Sequence, residues 1–302
     1  MAKTITIPTN VGFTNSTFSL FRAIATTASP FSGKQRTQEF DNVFWQGNVS
    51  LPPINRAQAS EWQSFFLNLE GTKNFFLFTD PDAKQPQGTY NGDSLTGETR
   101  INTGTNVVSA VLSFASNGTI TSTTAIFDGL AVGDFVTISG AVNEDNNGTF
   151  KVTTVTSDTI IVTDGPFVTE SSTSGCKARQ NVKGSTALSL QASTNAATGT
   201  IKAGDYLAIY DGATTSTNPI QLVMATEDAT VVVKNGKDHY SLRVQPKLRQ
   251  DLNANAVGFS TSVNRSRFRL GSPVVNWDAN AVSLYGFSFD FIEVVKWRHA
   301  QM

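Results

Sequence analysis

The sequence predicts a mainly-β protein with a small α+β core, and three observations carry that expectation. Charged residues make up only 16% of the 302, below the usual quarter, and Thr, Ser, Asn and Gly take their place. That composition favours strands and turns. One stretch alone, residues 54–71 (INRAQASEWQSFFLNLEG), combines helical periodicity with a start and a stop signal. Short aromatic runs flank that helix and return at the end of the chain, with a long Thr/Val/Ile-rich middle between them.

The helix can be read residue by residue. Asn55 caps it through its side-chain oxygen, and Gln58 reaches back to complete a capping box. Trp62, Phe65, Phe66 and Leu69 then fall on one stripe, at i, i+3, i+4 and i+7. Gly71 supplies the left-handed residue that stops the helix, and Pro52 and Pro53 separate it from the preceding strand. Burying a large apolar side chain contributes about 1.5–3 kcal/mol, so the stripe is expected to pack on a sheet or on another subunit. Residues 39–51 (EFDNVFWQGNVSL) and 73–80 (KNFFLFTD) are the nearest strand candidates, and DPDAKQPQG (80–88) is a turn-rich exit.

From about Thr96 the chain turns to β-branched alternation without helix signals. LAVGDFVTISG (130–140) and IKAGDYLAIYDG (201–212) share a small–Gly–Asp turn feeding a strand, and a hairpin-like stretch follows each. Two small β-modules are expected, at 96–180 and 181–250. At the end, RSRFRLGSP (265–273) and AVSLYGFSFDFIEVV (281–295) are strands. In the latter Tyr285, Phe287, Phe289 and Phe291 alternate with smaller or polar residues. That aromatic face suits the helix stripe, so residues 251–302 are expected to complete a core domain begun by residues 1–95.

Chemistry is sparse. A net charge of −1 and a pI of about 6.1 supply no global field for nucleic acid or an anionic membrane. No apolar run approaches the ~18 residues of a membrane span, and the start lacks the apolar core of a signal peptide. One cysteine, Cys176, excludes an internal disulfide and suits a reducing compartment. His239, placed near a hairpin end, and His299, in the terminal KWRHAQM, have no second ligand nearby. Ser288 has Gly286 before it, but Asp290 stands where a nucleophile elbow needs Gly. GDSLTGET (92–99) has Glu98 where a phosphate loop needs Lys, so it reads as a turn. NEDNNG (143–148) begins like a calcium loop, but Thr154 replaces the bidentate acid, leaving a hairpin turn at Asn147-Gly148. No catalytic residue, cofactor or metal is therefore expected. Arg265, Arg267 and Arg269 alternate along one strand face without an aromatic platform, which marks either a solvated edge or a subunit contact.

Residues 25–88 carry a spaced set: Trp45, Leu51, Pro52, Pro53, Trp62, Gly71, Asp80, Pro81 and Asp82. With IKAGDYLAI, VQPKLR (244–249), RFRLGSPVVNWD (267–278) and SLYGFSFDFIEVV (283–295) following in order, the chain resembles tail-tip proteins of tailed bacteriophages, and is similar to distal tail proteins. The resemblance implies an antiparallel β-sandwich of tail-tube type with one flanking helix. It also implies a non-enzymatic structural role in the virion after synthesis in the host cytoplasm. The implied partners are further copies of the chain in a ring, commonly a hexamer, together with the tail tube, hub and fibre proteins. Residues 96–180 exceed what that family usually carries between these motifs. A tail-associated host-recognition or carbohydrate-binding role is the alternative, for which exposed aromatics between residues 101 and 250 would speak.

Overall fold

The computed structural model describes residues 2–83, 85–90, 95–97, 107–192, 198–215, 218–234, 236–252, 254–259, 264–280 and 283–295. The chain opens with β1 (Asn15–Ala28), β2 (Gln35–Ser50), the helix α1 (Arg56–Leu69) and β3 (Phe76–Phe78). Then come β4 (Leu95–Gly97), β5 (Val107–Phe114), β6 (Thr119–Ser122), β7 (Phe135–Ser139), β8 (Gly148–Ser157), β9 (Ile160–Thr163) and β10 (Glu170–Arg179). The next stretch holds β11 (Ala187–Ala192), β12 (Thr200–Ile201), β13 (Tyr206–Tyr210), β14 (Pro219–Ala225) and β15 (Ala229–Thr230). After these follow β16 (Val232–Lys234), β17 (Lys237–Gln245) and β18 (Ala256–Gly258). The chain closes with β19 (Ser266–Leu270), β20 (Trp277–Ala279) and β21 (Tyr285–Glu293). The protein is thus mainly β, with antiparallel sheets and one α-helix among the described residues.

Two compact units divide it. Residues 1–84, 220–222 and 265–302 form the first, and 85–219 with 223–264 form the second. In the first unit the strands run in the order β1-β2-β21-β19-β3, all antiparallel, with β20 also paired to β21. A second sheet, expected from the tail-tube likeness, is not among the pairings of the described residues in this unit, and α1 supplies the second layer.

The helix binds the sheet through the stripe. Asn55 Oδ1 accepts the Gln58 N–H at 3.0 Å, and Gln58 Oε1 accepts the Asn55 N–H at 3.4 Å. Trp62, Phe65, Phe66 and Leu69 are all buried. Phe66 stacks on Phe287 with centroids 5.8 Å apart and meets Phe289 edge-on at 5.1 Å, while Phe65 meets Phe76 at 5.5 Å. The stop differs from the simple expectation: Glu70 is the C-cap with φ 49°, and Gly71 follows with φ 68°. Two successive left-handed residues turn the chain, and a Cβ at Gly71 would press on Pro273 O at 3.3 Å.

Glu293 ties a distant segment into this unit. Its buried carboxylate accepts the Leu222 N–H at 3.0 Å, the Trp45 N–H at 3.3 Å and the Ser266 hydroxyl at 3.1 Å. Trp45 Nε1 donates to Leu222 O at 2.8 Å. A buried carboxylate is tolerated when its lone pairs are filled in this way.

The second unit contains a closed barrel in the order β10-β5-β6-β9-β8-β7, filled by Leu112, Phe114, Ile120, Phe127 and Val136 among others. It also contains β11-β4-β18-β13-β14-β17, which a β11–β17 pairing closes into a ring, with β16 added outside β17. This ring takes β4 and β18 from beyond residues 181–250. The repeated turn is visible in hydrogen bonds. Gly133 and Gly204 have φ 95° and 94°. Asp134 Oδ2 accepts the Ala131 N–H at 2.7 Å, and Asp205 Oδ2 accepts the Lys202 N–H at 2.8 Å. Gly133 and Asp134 exchange backbone bonds with Val152 as Gly204 and Asp205 do with Ala225. The likeness stops at the hairpin expected next: β9 pairs back on β8, whereas β14 pairs with β17, and β15 and β16 pair with β12 and β17 instead of with β14.

Candidate interaction surface

β1 and β2 form a hairpin far longer than its sheet needs. They pair from Asn15↔Ser50 to Ala28↔Gln35, with a register shift between Arg22 and Ile24. Below the shift Phe18 packs against Trp45 at 5.4 Å and Phe291 at 5.6 Å, so that half belongs to the core. Above it, residues 24–28 and 30–42 are exposed, with no layer of described residues covering either face. The tip closes through Ser29 N–H to Lys34 O at 2.9 Å and Gly33 N–H to Ser29 O at 3.0 Å. Gly33 has φ 65° there, a conformation that glycine adopts without strain.

This ribbon exposes apolar side chains. Phe31 at the tip is 99% exposed, Ile24 51% and Phe40 47%. Phe21 stacks on Phe44 at 4.8 Å on the outer face. β1 is also the outermost strand of the sheet order. A two-stranded ribbon is marginal alone in water, and an edge strand with exposed apolar residues invites a further chain. The Arg22–Glu39 pair at 3.5 Å spans the register shift, but an exposed pair of this kind contributes at most about 1 kcal/mol. The sequence reading began its strands at residue 39 and so missed the ribbon. The alternation of Phe18, Leu20 and Arg22 followed by the turn SPFSGK was the available signal.

The arginines keep to one face of the strand, opposite the buried Ser266, Phe268 and Leu270. Arg265 precedes β19 and is exposed, as is Arg269. Arg267 is half-buried and lays its guanidinium over the Phe75 ring at 4.9 Å. An aromatic platform therefore does share the arginine face, contrary to the sequence reading. Its cause is local: Phe75 is held by backbone bonds to Lys3 and Ile5, which point it away from the stripe under α1.

The remaining reactive residue types sit in frameworks. His239 lies inside β17, buried, and pairs across to Gln191 and Val232, two steps in from the hairpin end. On the same strand face Ser241 donates to Asp134 at 2.6 Å. Burial pushes the Asp134 carboxyl above the usual range, against the Ser241 and Ala131 hydrogen bonds that favour the ion. Serine donates straight to the acid here with no imidazole between them, which is not a nucleophile's arrangement. Cys176 is buried in the barrel, where burial and then the Glu170 charge push its thiol up. Ser288 bonds to Ser50 and Asn48 along the β2–β21 pairing. Of GDSLTGET, residues 95–97 are strand β4, and the rest lies outside the described residues, as does His299. NEDNNG holds a 3-10 turn at Glu144–Asn146 instead of a two-residue hairpin, because Glu170 gathers its N–H groups. Among the described residues no three His, Cys, Asp or Glu side chains converge as a metal site, and no helix is long and apolar enough to cross a membrane.

No protein-family model matches this chain, and no curated protein does.

Proposed function

We propose that the protein is a non-enzymatic component of a bacteriophage tail tip, similar to distal tail proteins, that assembles with copies of itself into a ring. Six copies are the expected number, and the ring joins the tail tube to the hub and fibre assembly in the virion. The observation that carries this reading is the β1–β2 ribbon, whose outer half is uncovered in a single chain and exposes Ile24, Phe31 and Phe40. A ring requires a contact that repeats head to tail and closes, and a projecting ribbon beside an edge strand supplies one side of it.

The carbohydrate-binding alternative needs exposed aromatic platforms in the middle modules. Phe114, Phe127, Phe135, Phe167, Tyr206, Tyr210 and Tyr240 are buried, and Phe150 packs on Phe167 at 4.7 Å. Those rings are taken up by the two cores, which favours the structural reading. Mass photometry and negative-stain microscopy of the purified chain test it. Particles of one size with ring outlines are expected; a chain that stays monomeric at high micromolar concentration, and is missing from purified virions, overturns the reading.

A further inference from the structure

We propose that Asp134 is a pH-sensitive latch between the barrel and the ring of strands that β11 and β17 close. The contact tightens when its carboxyl takes a proton from solvent and loosens when it ionises. The barrel joins the rest of the chain at one place, where Val107 pairs with Arg179. Away from that neck, β7 lies against β11, and the turn before β7 delivers Asp134 onto β17. A segment tethered at a neck and held elsewhere by side chains swings when the holding contact weakens.

The ionised carboxylate is poorly served at this seam. Asp134 is 2% exposed. Among the described residues its donors are the Ala131 N–H at 2.7 Å and the Ser241 hydroxyl at 2.6 Å, and no ion pair reaches it. The matching turn in the ring of strands shows what is missing. There Asp205 accepts three backbone N–H groups, from Lys202 at 2.8 Å, Gln87 at 2.6 Å and Gly88 at 2.9 Å. A buried carboxylate with few donors favours its neutral form. The neutral form fits the seam. Its proton goes to Ser241 Oγ, and the serine hydrogen turns to Ser189 Oγ, 3.5 Å away on β11, while Oδ2 keeps the Ala131 N–H.

Charged and titratable groups face Asp134 from β17, β16 and β8. His239 shares the β17 face with Ser241, and its Nδ1 is buried without a hydrogen-bond partner. Together with Lys234 of β16 it adds small attractions that favour the ion. Arg243 of β17 and Lys151 of β8 lie over the Phe135 ring, and Lys151 is 3.8 Å from Glu227. Desolvation outweighs the hydrogen bonds and the attractions, so the docked carboxyl stays above its ordinary range. Undocking returns it to water and to that range. With the docked value the higher of the two, the latch contributes most below the ordinary carboxylate range. Its contribution is lost as pH rises through the docked value.

Thiol labelling reads the opening. Ala187 is buried on the β11 face that carries Ser189, opposite Arg243, so Ala187→Cys reports the seam. Cys176, buried inside the barrel, reports barrel unfolding in the same chain. The reagent is an aromatic disulfide that reacts at low pH, with rates normalised to an unstructured cysteine peptide. Ala187→Cys is expected to label roughly tenfold faster or more at pH 8 than at pH 4.5, tenfold being one unit of pKa difference. Cys176 is expected to label far more slowly at both. Asp134→Asn keeps the shape and cannot ionise; it is expected to abolish the pH dependence and to label slowly at pH 8. His239→Gln is expected to retain the dependence. Labelling of the Ala187→Cys chain that ignores pH, or a dependence that survives Asp134→Asn, overturns the latch. A dependence lost with His239→Gln overturns it too, by moving the switch to the imidazole. Equal rates at the introduced thiol and at Cys176 also overturn it, since the barrel then unfolds instead of swinging. The latch acts within one chain, so its failure leaves the ring assembly of copies untouched.

Discussion

Glu170 accepts the N–H groups of Val142 and Asn143, the Asn146 Nδ2 at 2.8 Å and the Thr173 hydroxyl. Partial burial pushes its carboxyl up, but these hydrogen bonds outweigh it and bring the pKa down to about 2. Because the folded value lies below the ordinary carboxylate range, the stabilisation is complete above about pH 4.5 and disappears as pH falls toward 2. Glu170→Gln therefore lowers stability at pH 7, by roughly 1–2 kcal/mol after allowance for solvent screening. The gap between variant and wild type narrows on acidification through that window. Melting curves at pH 7, 4.5 and 3 check both the sign and the window. NEDNNG alone suggested a hairpin, because Glu170 lies more than twenty residues beyond the loop that it organises.

At the scale of elements, what the sequence revealed was local. The stripe of α1 and its Asn55–Gln58 box depend on residues within four positions of one another, and the aromatic alternation of β21 depends on its own pleat. Both were legible for that reason. Trp62→Ala empties a site that is 0% exposed and is expected to cost about 3–5 kcal/mol. Asn55→Ala costs about 1 kcal/mol through the lost cap. Leu67→Ser, on the outward face at 69% exposure, stays within about 0.5 kcal/mol. Denaturant midpoints for the three variants, with unchanged slopes, check the ranking. The β1–β2 ribbon escaped because its outer residues, IATTASPFSGKQRTQ, alternate with no core face. A segment that buries nothing within its own chain leaves little hydrophobic pattern to read. The same lack of internal burial makes it a candidate for contact with another chain.

Whole-molecule organisation rests on pairings that no local pattern encodes. β4 and β18 join the ring of the second unit from opposite sides of residues 181–250, and Leu222 is held by Glu293 across 71 positions. The barrel is different in kind. Its first and last strands lie side by side, with Val107 the register partner of Arg179, so it enters and leaves the chain at one place. Domains inserted in this way can be removed if the seam tolerates solvent. The seam here is polar. Ser241 loses its bond to Asp134, Arg243 its place over Phe135 at 4.9 Å, and Asp251 its 2.6 Å contact with Arg179. Deleting residues 107–179 and joining 106 to 180 is expected to destabilise the remaining chain by roughly 2–4 kcal/mol and leave it folded. The ribbon and α1 lie outside the deleted segment. The shortened chain is therefore expected to assemble with the same copy number, and mass photometry reads that number from particle mass divided by chain mass. Particles of a different copy number, or none from a chain that still melts cooperatively, would place an assembly contact on the barrel itself.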